Sequence, residues 1–160
     1  MEAPTGPWTL RDTDGEINET SVQPGSGSWD GIATLHWAHT LKGAATTWFA
    51  TGFYRRNGTN DLDYRIGDDR RLDGGLVHRL KDTFAVSVQA NVRSTGRDDY
   101  RGDGVGSTGF TQVSVTPGIS LGNPADLSAY LFLQLPVYQD VNEAQLGASL
   151  GVLVGVSKAF

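Results

Sequence analysis

The sequence predicts an all-β chain, folded as an antiparallel transmembrane β-barrel with meander connectivity and about seven strands visible. Three observations predict it. Apolar and polar residues alternate with period 2 through most of 29–160, which places them on opposite faces of strands. The alternating segments run to roughly 9–15 residues, longer than the ~5–6 usual in globular sheets and suited to the ~9–11 of a tilted membrane strand. Short and long connections also alternate along the chain, the layout of outer-membrane barrels.

Composition sets the outer bounds. The 160 residues contain no cysteine, which excludes a disulfide framework and thiolate metal sites. A net charge of −5 argues against a general nucleic-acid binder. No apolar run is long enough for a transmembrane helix, and no signal peptide is visible at Met1–Pro7. The 38% hydrophobic content resembles that of a soluble protein, but finely alternating barrel strands give the same average.

The elements follow in order. Residues 1–28 are read as the end of a preceding strand plus an extracellular loop, and 29–160 as barrel strands. Segments 29–41, 43–56 and 69–80 are strands with imperfect alternation. In 43–56 the faces cannot be assigned, because Trp48, Phe49, Phe53 and Tyr54 fall on both. Phe84–Arg93, Gln112–Leu121 and Leu127–Tyr138 alternate cleanly. So does the last segment, where Leu146, Ala148, Leu150, Val152, Val154 and Val156 share one face. The connections at 40–44, 79–83 and 122–126 are short, and those at 57–69 and 94–108 are long. Lys42, Lys81 and Lys158 lie on the short-turn side, conventionally periplasmic, together with Phe160. The aspartates of the long loops, Asp61, Asp63, Asp68, Asp69, Asp98, Asp99 and Asp103, read as solvated loop charges.

Alternation alone does not say whether the apolar face turns toward lipid or toward a soluble core. Three features favour lipid, one of them that the C-terminal strand ends in an aromatic, Phe160. The opposite face is rich in Gly, Ser, Thr, Gln and Asn, as a wet lumen requires. Aromatics gather near strand ends, at Trp29, Trp37, Tyr54, Phe84, Tyr138 and Phe160, as in an interfacial girdle.

Four sets of residues, in order, then resemble a known family: Gln23-Pro-Gly-Ser-Gly-Ser-Trp-Asp30; Tyr64-Arg-Ile-Gly-Asp68; Thr116-Pro-Gly118 followed by Leu133-Gln-Leu-Pro-Val-Tyr-Gln-Asp-Val-Asn142; and Gln145-Leu146 running to Gly155-Val156 and Phe160. Together they resemble the C-terminal part of the outer-membrane "MetA-pathway of phenol degradation" family of transporters. The resemblance implies a bacterial outer-membrane barrel passing small hydrophobic or aromatic compounds, with no catalytic residues and no cofactor. It implies outer-membrane lipid and a small-molecule substrate as partners, and assembly machinery that reads the strand ending in Phe160. Lys158 departs from the family pattern, which favours an aromatic there. The family's greater length and the odd strand number lead us to expect an N-terminally truncated larger barrel.

Lumen-facing polar groups are the candidate selectivity residues: Arg71, Asp73, Arg79, Gln89, Asn91, Arg93, Gln112, Thr116 and Gln134, with Asp73 and a neighbouring arginine as a candidate ion pair. Other motifs are weak. Gly104-x-Gly106-x-x-Gly109 lacks the strand–helix setting of a dinucleotide site. Arg101-Gly-Asp103 is a chance tripeptide, and Asp98, Asp99 and Asp103 lack calcium-loop spacing. His36, predicted lumenal beside Asp30 and Thr34, cannot meet His39 and His78 of the other face in one metal site. Gly25-Ser26-Gly27 is not a nucleophile elbow. The other classes carried forward are a structural or adhesive barrel and a soluble lipocalin-like ligand-binding barrel.

Overall fold

The computed structural model describes residues 10–16, 23, 25–41, 43, 45–123 and 126–158. The expectations placed on Phe160, Lys42 and residues 1–9 lie outside them. All regular structure described is strand. Ten strands occur: β1 (Gly31–Thr40), β2 (Thr46–Arg56), β3 (Tyr64–Arg65), β4 (Asp69–Lys81), β5 (Phe84–Thr95), β6 (Asp99–Tyr100), β7 (Asp103–Gly104), β8 (Phe110–Gly122), β9 (Leu127–Val141) and β10 (Gly151–Lys158).

Seven of them form one antiparallel sheet in the order β1-β2-β4-β5-β8-β9-β10, each strand beside its predecessor. This is the expected meander, in which every short turn joins neighbours. The sheet is antiparallel as expected but is not closed into a barrel: β1 and β10 are its two edges and do not pair with each other. Every residue of β1 is exposed accordingly. The three two-residue strands form a separate small sheet, β3-β6-β7, that ties the two long loops together.

The last strand begins later than its alternation predicts. β10 starts at Gly151 rather than Leu146, and Leu146 stands fully exposed. Along 146–150 the chain leaves the ladder of β9, and the side-chain amide of Gln139 instead donates to the Ala148 carbonyl at 2.5 Å. Alternation records which face a side chain would take. It does not record whether the backbone is paired.

The register assigns the faces left open by the sequence. Phe49 pairs with Gly75 and Phe53 with Arg71, which puts both rings on the polar face. Trp48 and Tyr54 take the other. Near the long-loop end a β-bulge shifts the β8–β9 register between Val113 and Ser114, so that Val113 opposes Tyr138 and Ser114 opposes Pro136. The extra residue moves Tyr138 onto the apolar face, and Pro136 sits where a missing N–H is tolerated.

Burial is inverted relative to a soluble sheet. No hydrophobic side chain is buried among the described residues, whereas Ser28, Asp30, Asn57, Asn60, Asp69, Ser114 and Thr116 are. On β8, Ser114 is 1% exposed, while Leu121 on the opposite face is 51% exposed. In a single-layer sheet the sheltered face is the concave one, so this sheet curls around its polar side.

Candidate functional site

All nine predicted polar residues lie on the concave face, gathered into cross-strand rows. Phe53, Arg71, Arg93 and Gln112 form one row across β2, β4, β5 and β8. The next holds Thr51, Asp73, Asn91 and Ser114. Gly75, Gln89 and Thr116 follow, beside Gln134 of β9. Arg79 stands apart at the short-turn end, opposite Ala85.

The expected pairing of Asp73 with arginine is not what the face contains. Asp73 accepts a hydrogen bond from Asn91 Nδ2 at 2.7 Å, and Asn91 Oδ1 in turn accepts from Thr116 Oγ1 at 2.6 Å. The carboxylate that holds the arginines is Asp69, read from sequence as a loop charge. It accepts from Arg71 Nε at 3.0 Å and from Arg93 Nη2 at 3.1 Å. The detectable signal was the Asp-x-Arg spacing of Asp69 and Arg71, which in a strand puts both on one face. Two guanidiniums directly opposite on adjacent strands repel, and a shared carboxylate relieves that repulsion. Arg71 also lies over the Phe53 ring at 4.8 Å, and Arg93 over Phe110 at 5.3 Å. An Asp69→Asn substitution is therefore expected to destabilise the sheet by about 1–3 kcal/mol, measured by urea unfolding in detergent micelles.

Toward the short-turn end, the concave face opens into a groove of about 400 Å³ lined by Gln89, Asn91, Thr116, Phe132, Gln134, Gly151, Val152 and Leu153. Its aromatic wall depends on glycines in neighbouring strands. A Cβ on Gly118 would stand 2.2 Å from the Phe132 ring, and one on Gly155 would stand 2.2 Å from the Tyr130 ring. Both rings thus lie flat along the sheet and keep the concave side open. Tyr130 and Phe132 themselves pack at 5.3 Å between centroids.

The convex face carries the strand-borne predicted aromatics Trp37, Tyr54, Phe84 and Tyr138, and Trp29 lies exposed just before β1. Trp29, Tyr54 and Tyr138 stand toward the long-loop end, and Trp37 and Phe84 toward the short turns. Trp48 joins the second group, 47% exposed beside Trp37 and His39, and was missed because the faces of 43–56 were illegible. Trp37 and His39 stack at 6.0 Å. Between the two groups, β5, β8 and β10 present only Leu, Val, Ile, Ala, Gly and Pro, and β4 presents Leu72, Gly74 and Leu76 followed by His78, whose ring is bonded to Thr46 Oγ1. On β4 this band is bounded by Arg70 and Lys81, roughly 36 Å apart along the strand, or ~27 Å at a ~40° tilt, against the ~25 Å apolar belt of outer-membrane barrels.

The long loops are not merely solvated. Asp30 accepts from Arg55 Nη2, from Ser28 Oγ at 2.9 Å and from the Gly58 N–H at 3.1 Å. Asp68 accepts from Arg65 at 3.0 Å, Tyr54 Oη at 3.0 Å and the Asn57 N–H at 3.2 Å. Asp98 accepts from Tyr64 Oη at 2.6 Å and the Gly67 N–H at 2.8 Å. Partial burial pushes the Asp30 and Asp68 carboxyls up, but these donors, Arg55 and Arg65 foremost, outweigh it and hold both below the ordinary value of 3.8. A carboxyl lowered by folding stabilises the fold above its unfolded pKa, and that contribution is lost as pH falls through the folded value. The loop network is therefore expected to be intact from neutral pH down to 3.8 and to open below it. Amide NMR shifts of Asn57 and Gly58 check this, and a midpoint at or above 3.8 contradicts it.

The weak motifs take ordinary places. Gly104 lies in β7, and Gly109 leads into β8 rather than a helix. His36 bonds Thr51 Oγ1 on the concave face, and His78 bonds Thr46 Oγ1 on the convex face, both at 2.8 Å. No family model, curated protein or solved structure matches this chain.

Proposed function

We propose that this chain forms part of the wall of a bacterial outer-membrane β-barrel that passes small solutes, with hydrophobic or aromatic compounds as the class its family resemblance implies. The observation that carries the reading is the inverted burial: an apolar band exposed on the convex face, edged by aromatics, and a polar concave face sheltered from solvent. Water penalises that arrangement, whereas a bilayer outside and an aqueous lumen inside favour it. A soluble lipocalin-like barrel would shelter the apolar face instead. Bacterial single-chain barrels have an even number of strands. The main sheet of the described residues holds seven strands, with β1 and β10 running in the same direction, so an antiparallel closure takes at least one further strand.

Passage would be passive, along the rows from the arginines to the Phe132 groove. The two long loops, joined by β3-β6-β7, would stand over the outer mouth. Two measurements test this. The chain should partition into detergent or lipid and remain out of the aqueous phase without them. The full-length barrel that contains it should also give ion conductance when folded into planar bilayers. Aqueous solubility overturns the membrane reading. Membrane insertion without any flux overturns the channel and favours the structural or adhesive class.

A further inference from the structure

Resting on the lumenal reading of the concave face, we propose that the Arg71–Arg93 pair is a selectivity site for organic anions, specifically small carboxylates with an aromatic or apolar body. The two guanidiniums oppose each other across β4 and β5 and share the single carboxylate of Asp69. Asp69 is 9% exposed, whereas Arg71 and Arg93 are 43% and 47% exposed. The cluster thus keeps one net positive charge, and it presents that charge on the concave side while its counter-charge is buried. The remaining donors form planar forks, the geometry that matches a carboxylate.

The surroundings select the rest of the molecule. Phe53 and Phe110 lie beneath the two guanidiniums, so an apolar rim borders the forks and receives the aromatic body as its carboxylate meets them. One row farther along, Asp73 keeps its own negative charge, since the Asn91 amide that donates to it is neutral, so the positive charge is confined to the arginine row. The next stage is the groove walled by neutral amides and the Phe132 ring, with a volume in the range of small-ligand sites. A cation would meet the arginines first and be turned back. A neutral solute would pass without being held.

Benzoate is the probe, with benzyl alcohol as its neutral counterpart. In planar bilayers the full-length barrel should favour chloride over potassium, and benzoate, but not benzyl alcohol, should block the current. The double variant Arg71→Gln/Arg93→Gln should remove the anion preference and weaken benzoate block by about tenfold. Asp69→Asn frees a second positive charge and should shift the preference further toward anions, an effect that a purely structural ion pair would not produce. Folding of each variant is checked by heat-modifiable gel mobility. A conducting protein whose ion preference and benzoate block are unchanged in the double variant overturns the inference while the channel stands. Should the protein not conduct, the channel proposal fails alone, and benzoate titration calorimetry in micelles decides the site. Equal benzoate affinity in wild type and double variant then overturns it.

Discussion

On the proposed membrane reading, Val88→Arg is expected to destabilise the protein in a bilayer by about 2–4 kcal/mol, the cost of an arginine on a face turned to lipid near the midplane. Val88 sits at the centre of β5 on the convex face, between Leu76 of β4 and Pro117 of β8, and is 42% exposed. No carboxylate lies on the neighbouring convex positions to receive the charge. The same substitution on a water-exposed sheet would change stability by no more than about 0.5 kcal/mol. Urea unfolding of protein folded into lipid vesicles separates the two cases. Gln89→Leu, one residue away but on the concave face, serves as the control. It removes a polar group without presenting a charge to lipid, and is expected to fall well below Val88→Arg.

Gly118→Val is expected to cost at least about 3 kcal/mol, beyond the usual range for overpacking by small-to-large substitution. The new Cβ would lie 2.2 Å from Phe132 Cδ1 and 2.7 Å from Ser87 Oγ, with β5 and β9 closing on either side. The ring must leave the wall and stand into the concave space. Two readouts move together: the unfolding midpoint drops, and any conductance falls as the groove narrows. Phe132→Ala in the Gly118→Val background should recover part of the stability, since the clash is pairwise. A double variant no more stable than Gly118→Val alone would show that the strain lies in the backbone and not in the ring.

Much of this architecture was legible because a strand writes its faces into the chain. The alternations of Phe84–Arg93 and Gln112–Leu121 locate β5 and β8 to within a few residues, and all nine polar candidates fall on one face. The failures have specific causes. In β2, aromatics occupy both faces, because Phe49 covers Gly75 and Phe53 receives Arg71 on the concave side while Trp48 and Tyr54 face out. Such contacts depend on the partner strand, which no local pattern contains. Asp69 was read as a loop charge because it opens β4, at the boundary where strand and loop look alike. The pairing of β3 with β6 and β7 was invisible, since two-residue strands carry no period.

By itself the sequence determined the seven long strands, their order and the chemistry of each face, because period-2 alternation is local and each short turn joins neighbours. Tertiary structure alone decided which way the sheet curls, that it stays open between β1 and β10, and that one buried carboxylate joins two arginines. It also decided which glycines make room for which rings. These are all relations between strands, fixed by register and curvature. Register is a property of paired backbones, and a single chain segment read alone does not hold it.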